Sequence, residues 1–112
     1  QCTSTYPSKF DEIHLNVLRT YKEEFPNAVI GYSGHERGIA ICVSAVVLGV
    51  STIERHFTLD RTMKGPDHAS SIEPSGMADV VQRTRRFFVA MGSPEKKILD
   101  CELKNRKKFR GY

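Results

Sequence analysis

The sequence predicts an α/β fold with a parallel sheet. Apolar strand-like runs alternate with helix-like stretches in the order β-α-β-α-β-α, with short connections between most of them. An almost wholly apolar helix spans residues 39–48, between the runs 28–33 and 52–59. Such a helix suits the connection between two parallel strands. Three strands leave both sheet edges unpaired, so the chain reads as part of a larger α/β fold.

Each element has a local reason. Residues 1–5 read as the end of a strand and residues 6–10 as a loop. Asp11 can cap a helix running to Phe25, with Leu15, Leu18, Tyr21 and Phe25 on one stripe. Pro26-Asn27 ends it, and a strand over 28–33 follows. Residues 34–38 form a short loop. In the helix 39–48, Ile39, Cys42, Val43, Val46 and Val47 recur at helical spacing, and Gly49 suits the position past its end. A strand over 52–59 leads into a longer loop, 60–73, that carries Gly65-Pro66. Pro74 suits the first turn of a last helix, which places Met77, Val80, Val81, Thr84, Phe87, Phe88 and Met91 on one side and ends at Gly92.

Composition narrows the class. The chain has 112 residues, 39% apolar and 27% charged, enough for one modest domain. No segment has the length of a membrane span, and the N-terminus lacks a signal-peptide pattern. It also lacks an initiator Met, so a fragment of something longer is expected. Residues 95–112 hold seven Lys/Arg and three Asp/Glu, a surplus of four that equals the net charge of the whole chain. The body is therefore neutral and offers no nucleic-acid surface; residues 104–110 alone could serve, and a solvated tail or linker is the plainer reading. Cys2, Cys42 and Cys101 form neither a zinc motif nor a disulfide framework, which fits a reducing, cytoplasmic setting.

The chemistry-bearing residues gather at strand ends. His35 follows the first apolar strand and His56 lies near the end of the next, 21 positions on, so the two imidazoles can meet on one side of a parallel sheet. Alternation puts Thr52, Glu54, His56 and Thr58 on one polar face of residues 52–59. Ile53 and Phe57 can pack under helices on the other, with the Arg55 stem alongside. His56 is a candidate ligand or acid/base group, or else a hydrogen-bonded structural histidine. Glu54 can orient an imidazole or a substrate hydroxyl, or form a salt bridge to the next strand. Ser33 and the following helix amides can hold a phosphate, or form a simple capped turn. Two imidazoles with substrate oxygens suit a divalent metal such as Mn²⁺ better than Zn²⁺. Asp67 can bind sugar hydroxyls or an amine, or serve turn chemistry, and His68 reads as a surface loop residue. Thr3, Ser4 and Tyr6 can hydrogen-bond a small polar ligand or shape their turn.

Four segments carry a resemblance. Cys2-Thr3-Ser4-Thr5-Tyr6-Pro7, Gly31-Tyr32-Ser33-Gly34-His35, Glu54-Arg55-His56-Phe57-Thr58-Leu59-Asp60 and Gly65-Pro66-Asp67-His68 stand in the order and spacing of the sialic acid synthases. The likeness continues into Met91-Gly92-Ser93-Pro94 and Cys101-Glu102, so nearly the whole chain resembles that family. Ser-Gly-His, where bacterial members tend to have Ser-Asp-His, is closer to the animal enzymes.

The resemblance implies a (β/α)₈ TIM barrel followed by an antifreeze-like domain. Residues 1–94 would be its C-terminal three βα units, a partial barrel, and residues 95–112 a basic linker toward the second domain. It implies condensation of phosphoenolpyruvate with N-acetylmannosamine, or its 6-phosphate in animals, and water. The products are N-acetylneuraminate, or its 9-phosphate, and phosphate. His35 and His56 match metal-binding histidines that would hold Mn²⁺ or Mg²⁺, and with Glu54 they form the implied catalytic set. Ser33 matches a phosphate contact, Tyr6 and Asp67 match substrate-side positions, and Ser4 stands where bacterial members can have Asn. The family acts as a homodimer, and the isolated 112 residues are expected to be inactive. The alternatives are a synthase of legionaminic or pseudaminic acid type, and a non-catalytic module with a basic nucleic-acid-contacting tail.

Overall fold

The computed structural model describes residues 1–111. Four extended segments lie side by side, all parallel and in chain order. Cys2 bridges Ser33, and the Gln1 backbone nitrogen donates to the Gly31 carbonyl at 2.8 Å. Strand β1 (Gly31–Gly34) pairs with β2 (Thr52–Arg55) in the register Gly31–Thr52, Tyr32–Ile53, Ser33–Glu54 and Gly34–Arg55. Beyond β2, Phe57 bridges Ile72, with Ile72 N–H donating to the His56 carbonyl at 2.8 Å.

Helix α1 (Val17–Glu24) precedes β1, and α2 (Ala40–Val47) joins β1 to β2. Gly49 follows α2 at φ 82°, a left-handed conformation that costs glycine little, and its N–H caps the Val46 carbonyl at 2.8 Å. Helix α3 (Pro74–Met91) has Pro74 at its start and Gly92 after its end, as its sequence signals require. The core is small: Ile13, Leu18, Tyr32, Cys42, Ala45, Val46 and Val50, with Leu15, Ile30, Ile53 and Phe87 packed around it. Truncating the fully buried Leu18 to Ala would cost about 2–5 kcal/mol.

Three expectations are corrected. The helix over 11–25 breaks in two. A single 3-10 turn (Phe10–Glu12) is followed by a bend with His14 at φ 51°, and α1 starts only at Val17. The cause is local competition: the Thr3 hydroxyl takes the Glu12 carbonyl at 3.1 Å, and the Gln1 amide takes the Ile13 carbonyl at 2.8 Å. Those carbonyls would otherwise accept the next helical turn. Asp11 therefore caps nothing. The strand over 52–59 stops pairing with β1 at Arg55, and Phe57 is 53% exposed rather than packed under a helix, because it bridges Ile72 instead of continuing the β1 ladder. The basic tail contains a helix, α4 (Asp100–Arg110). Acidic residues at its start, Asp100 and Glu102, and cations at its end, Lys107, Lys108 and Arg110, complement its dipole. None of its residues is buried. The projecting helix helps raise the radius of gyration to 18.9 Å, against about 13 Å for a compact chain of this length.

Candidate active site

The two histidines meet. His35 follows β1 and His56 follows β2, and parallel pairing brings their ring centroids to 5.0 Å, edge to face. The Tyr6 ring lies 4.2 Å from that of His35 and 5.8 Å from that of His56, so the three rings form one cluster.

Each histidine is held differently. His35 is buried, and its Nδ1 sits 2.7 Å from the Thr3 carbonyl. A carbonyl only accepts, so Nδ1 carries a proton, and in the neutral imidazole Nε2 keeps its lone pair. The Cys2 thiol lies 3.9 Å from the same Nδ1. His56 is half-buried, and its Nδ1 lies 3.7 Å from Asp67 Oδ2, an ion pair when the imidazole is protonated. A hollow of about 280 Å³ opens beside it, lined by His56, Phe57, Pro66, Asp67, His68 and Ser71. Another hollow, about 630 Å³, runs along α4 and contains none of these residues.

Glu54 and Ser33 face each other across the β1–β2 ladder, and the Ser33 hydroxyl donates to Glu54 Oε1 at 2.8 Å. The serine donor that a phosphate would need is thus directed at a carboxylate. Ser4 is exposed. His68 is not the surface residue expected: it is half-buried, and its Nδ1 pairs with the Thr58 hydroxyl at 2.8 Å. That hydroxyl also accepts the Asp60 N–H at 3.3 Å, so the pair pins both ends of the loop after β2.

A buried charge pair went unforeseen. The Arg55 side chain is 1% exposed and meets the Glu36 carboxylate, 0% exposed, at 2.8 Å. The Tyr32 hydroxyl donates to the other Glu36 oxygen at 2.8 Å. The Cys42 thiol lies 3.4 Å from Glu36 and 3.1 Å from Arg55, and burial pushes it up to about 11. Burial, then the Glu36 hydrogen bond, raises the Tyr32 phenol still further. Gly34 makes room for this cluster: a Cβ there would lie 2.5 Å from Glu36 Oε2. One signal was available in the sequence, a lone arginine on the apolar face of a strand, which needs an acid to accompany it indoors.

The donor set fits a divalent cation in part. Two imidazoles with one Nε2 lone pair fixed supply borderline nitrogen donors. Among the described residues no group of three or more His, Cys, Asp or Glu is disposed around one point, so further positions fall to oxygens from outside this set.

Comparison with known proteins bears on this geometry. Residues 1–96 match the NeuB family. The chain is 50% identical over 103 residues to the N-acetylneuraminate-9-phosphate synthase of Homo sapiens, covering 92% of this chain and 29% of that protein. It is 43% identical over 104 residues to the N,N'-diacetyllegionaminic acid synthase of Campylobacter jejuni, covering 93% of this chain and 31% of that protein. The fold superposes on a crystal structure of the N-acetylneuraminic acid synthetase of Leptospira borgpetersenii with a TM-score of 0.76 and 33% identity, over 99% of this chain and 40% of that one. The chain thus spans under a third of the length of these two sequence relatives. With parallel strands, a strand-end histidine pair and a family match over most of its length, the chain belongs to the NeuB family, the sialic acid synthases.

Proposed function

We propose that these residues are the C-terminal part of the catalytic barrel of a synthase. It would join phosphoenolpyruvate to N-acetylmannosamine 6-phosphate, with water, to give N-acetylneuraminate 9-phosphate and phosphate. One observation carries the reading: the His35–His56 pair at adjacent strand ends, in a chain half identical to an enzyme named for that product. Four parallel segments in chain order support the partial (β/α)₈ barrel, as does the exposure of Val29, Phe57, Leu59 and Phe88. Three free cysteines, one inside a charged cluster, support a reducing, cytoplasmic setting.

In this reading His35 Nε2 and His56 hold Mn²⁺ or Mg²⁺, and the imidazoles favour Mn²⁺. Bound there, the ion supplies Lewis acidity toward the sugar carbonyl oxygen. The protein's own residues set the rest. The Thr3 carbonyl fixes the His35 tautomer, and Tyr6 covers the pair from one side. Asp67 orients His56 and offers its free oxygen to sugar hydroxyls. Glu54 holds Ser33 until the substrates arrive; a phosphate at Ser33 takes over that hydroxyl and frees Glu54 to accept a substrate proton. Ser4 serves as a further substrate contact at the exposed rim. The full-length protein works as a homodimer.

The test is phosphate release by the full-length protein given phosphoenolpyruvate and Mn²⁺ with each sugar in turn. Turnover with N-acetylmannosamine 6-phosphate, lost in His35→Ala and in His56→Ala, is the expected result. Full activity in both variants would overturn the metal-site assignment. Preference for a diacetylated bacterial sugar would favour the second reading, a legionaminic acid type synthase, which the 43% identity keeps in view. The isolated 112 residues should release no phosphate under the same conditions.

A further inference from the structure

The Arg55 guanidinium joins three segments. It donates to the Glu36 carboxylate at 2.8 Å, the Glu36 carbonyl at 2.6 Å and the Gly38 carbonyl at 2.8 Å, all in the loop after β1. It also donates to the Ser70 carbonyl at 3.0 Å, in the turn that follows Asp67. Ser70 N–H and Ser71 Oγ in turn donate to the Asp67 carbonyl, at 3.1 and 2.6 Å. Each contact adjoins a site residue. His35 precedes Glu36, His56 follows Arg55, and Asp67 is tied to Ser70. Alternation along β2 keeps Arg55 on the face opposite Glu54 and His56, so it touches none of the chemistry directly.

We propose that Arg55 is a positioning residue for the histidine pair. From the far face of β2 it clamps the loops bearing His35 and Asp67 against the strand bearing His56, and so sets the spacing at which the two imidazoles share one cation. The inference rests on the metal-site reading given above. The planar fork is essential, because it serves a carboxylate and three carbonyls at once. A lysine ammonium keeps the charge beside Glu36 but has three donors from one point and cannot span both loops. Residues that orient metal ligands from outside the coordination sphere typically matter by about 10–100-fold in metal affinity.

The experiment is titration of the full-length protein with Mn²⁺ alone, followed by calorimetry, with thermal unfolding recorded beside it. Arg55→Lys is expected to fold and to bind Mn²⁺ about 10–100-fold more weakly, with the KM for the sugar raised as well. Added guanidinium ion should partly restore Mn²⁺ affinity in Arg55→Ala, whereas ammonium should not. A folded Arg55→Lys with wild-type Mn²⁺ affinity overturns the clamp while leaving the metal site intact. Unchanged Mn²⁺ binding in the His35→Ala, His56→Ala double variant overturns the metal site itself. Should Arg55→Lys not fold, Glu36→Gln takes its place, since it keeps an acceptor of the same shape and removes the charge. A several-fold loss of Mn²⁺ affinity in folded Glu36→Gln supports the clamp, and wild-type affinity overturns it.

Discussion

Two pairs, each a basic side chain with a carboxylate, lie a few residues apart and could hardly differ more. Arg55 and Glu36 meet at 2.8 Å with side chains 1% and 0% exposed. His56 and Asp67 stand 3.7 Å apart with side chains 34% and 53% exposed. The first pair has most of its hydrogen-bonding capacity filled by Tyr32, Gly38 and Ser70, although Arg55 Nε has no partner. The second is loose, partly exposed and open to a hollow. Adjacent residues at the end of β2 thus divide the labour. The closed pair is committed to holding the loops in place, and the open pair keeps atoms free for a ligand.

Breaking the closed pair should have the largest effect. Arg55→Met leaves an uncompensated buried carboxylate and should lower stability by about 3–5 kcal/mol in denaturant unfolding. A loss as small as that of an exposed pair would erase the distinction drawn between the two. Raising the pH probes the same cluster more gently. The Cys42 thiol has an ordinary value of 9.0, and burial holds it at about 11 in the folded protein. Between those values the unfolded chain has released the proton while the folded one retains it. Stability is therefore full below pH 9 and falls as the pH rises toward 11. Tyr32 acts with the same sign at higher pH. Unfolding curves of Cys42→Ala over this range should show a shallower decline, and an unchanged slope would assign the alkaline loss elsewhere.

Opening the loose pair should barely touch the fold. Asp67→Asn should change stability by less than about 1 kcal/mol, yet raise the KM for the sugar in the full-length protein. A large stability loss with unchanged KM would make Asp67 structural. Smallest of all is Asp79→Ala on α3, whose ion pair with Arg83 is 3.9 Å long and exposed on both sides. It should cost less than about 0.5 kcal/mol.

Local signals were legible in the sequence, and distant partnerships were less so. The helix α3 follows from Pro74, its apolar stripe and Gly92, and α2 from its unbroken apolar run. The meeting of His35 and His56 follows from the strand–helix–strand order alone. The Arg55–Glu36 pair escaped because its members are 19 positions apart and no periodicity links a loop acid to a strand base. The break before α1 escaped for a similar reason: side chains of Gln1 and Thr3, far upstream, take the carbonyls a helix would use. The Thr3 carbonyl that sets the His35 tautomer is a backbone atom, and side-chain identity gives no hint of it.

The parallel order of the segments has a kinetic consequence. Among the described residues each pairing joins a segment to the next one along the chain: Cys2 to Ser33, Ser8 to Glu36, Gly31 to Thr52, Phe57 to Ile72. No strand waits for a partner synthesised before its neighbour, and no hairpin can form first. Each strand adds to an edge already laid down, once the intervening loop has closed at a cost that grows only slowly with its length. A chain so ordered can assemble from its N-terminal side as it leaves the ribosome, with α2 shielding the newest edge's apolar face before the next strand arrives.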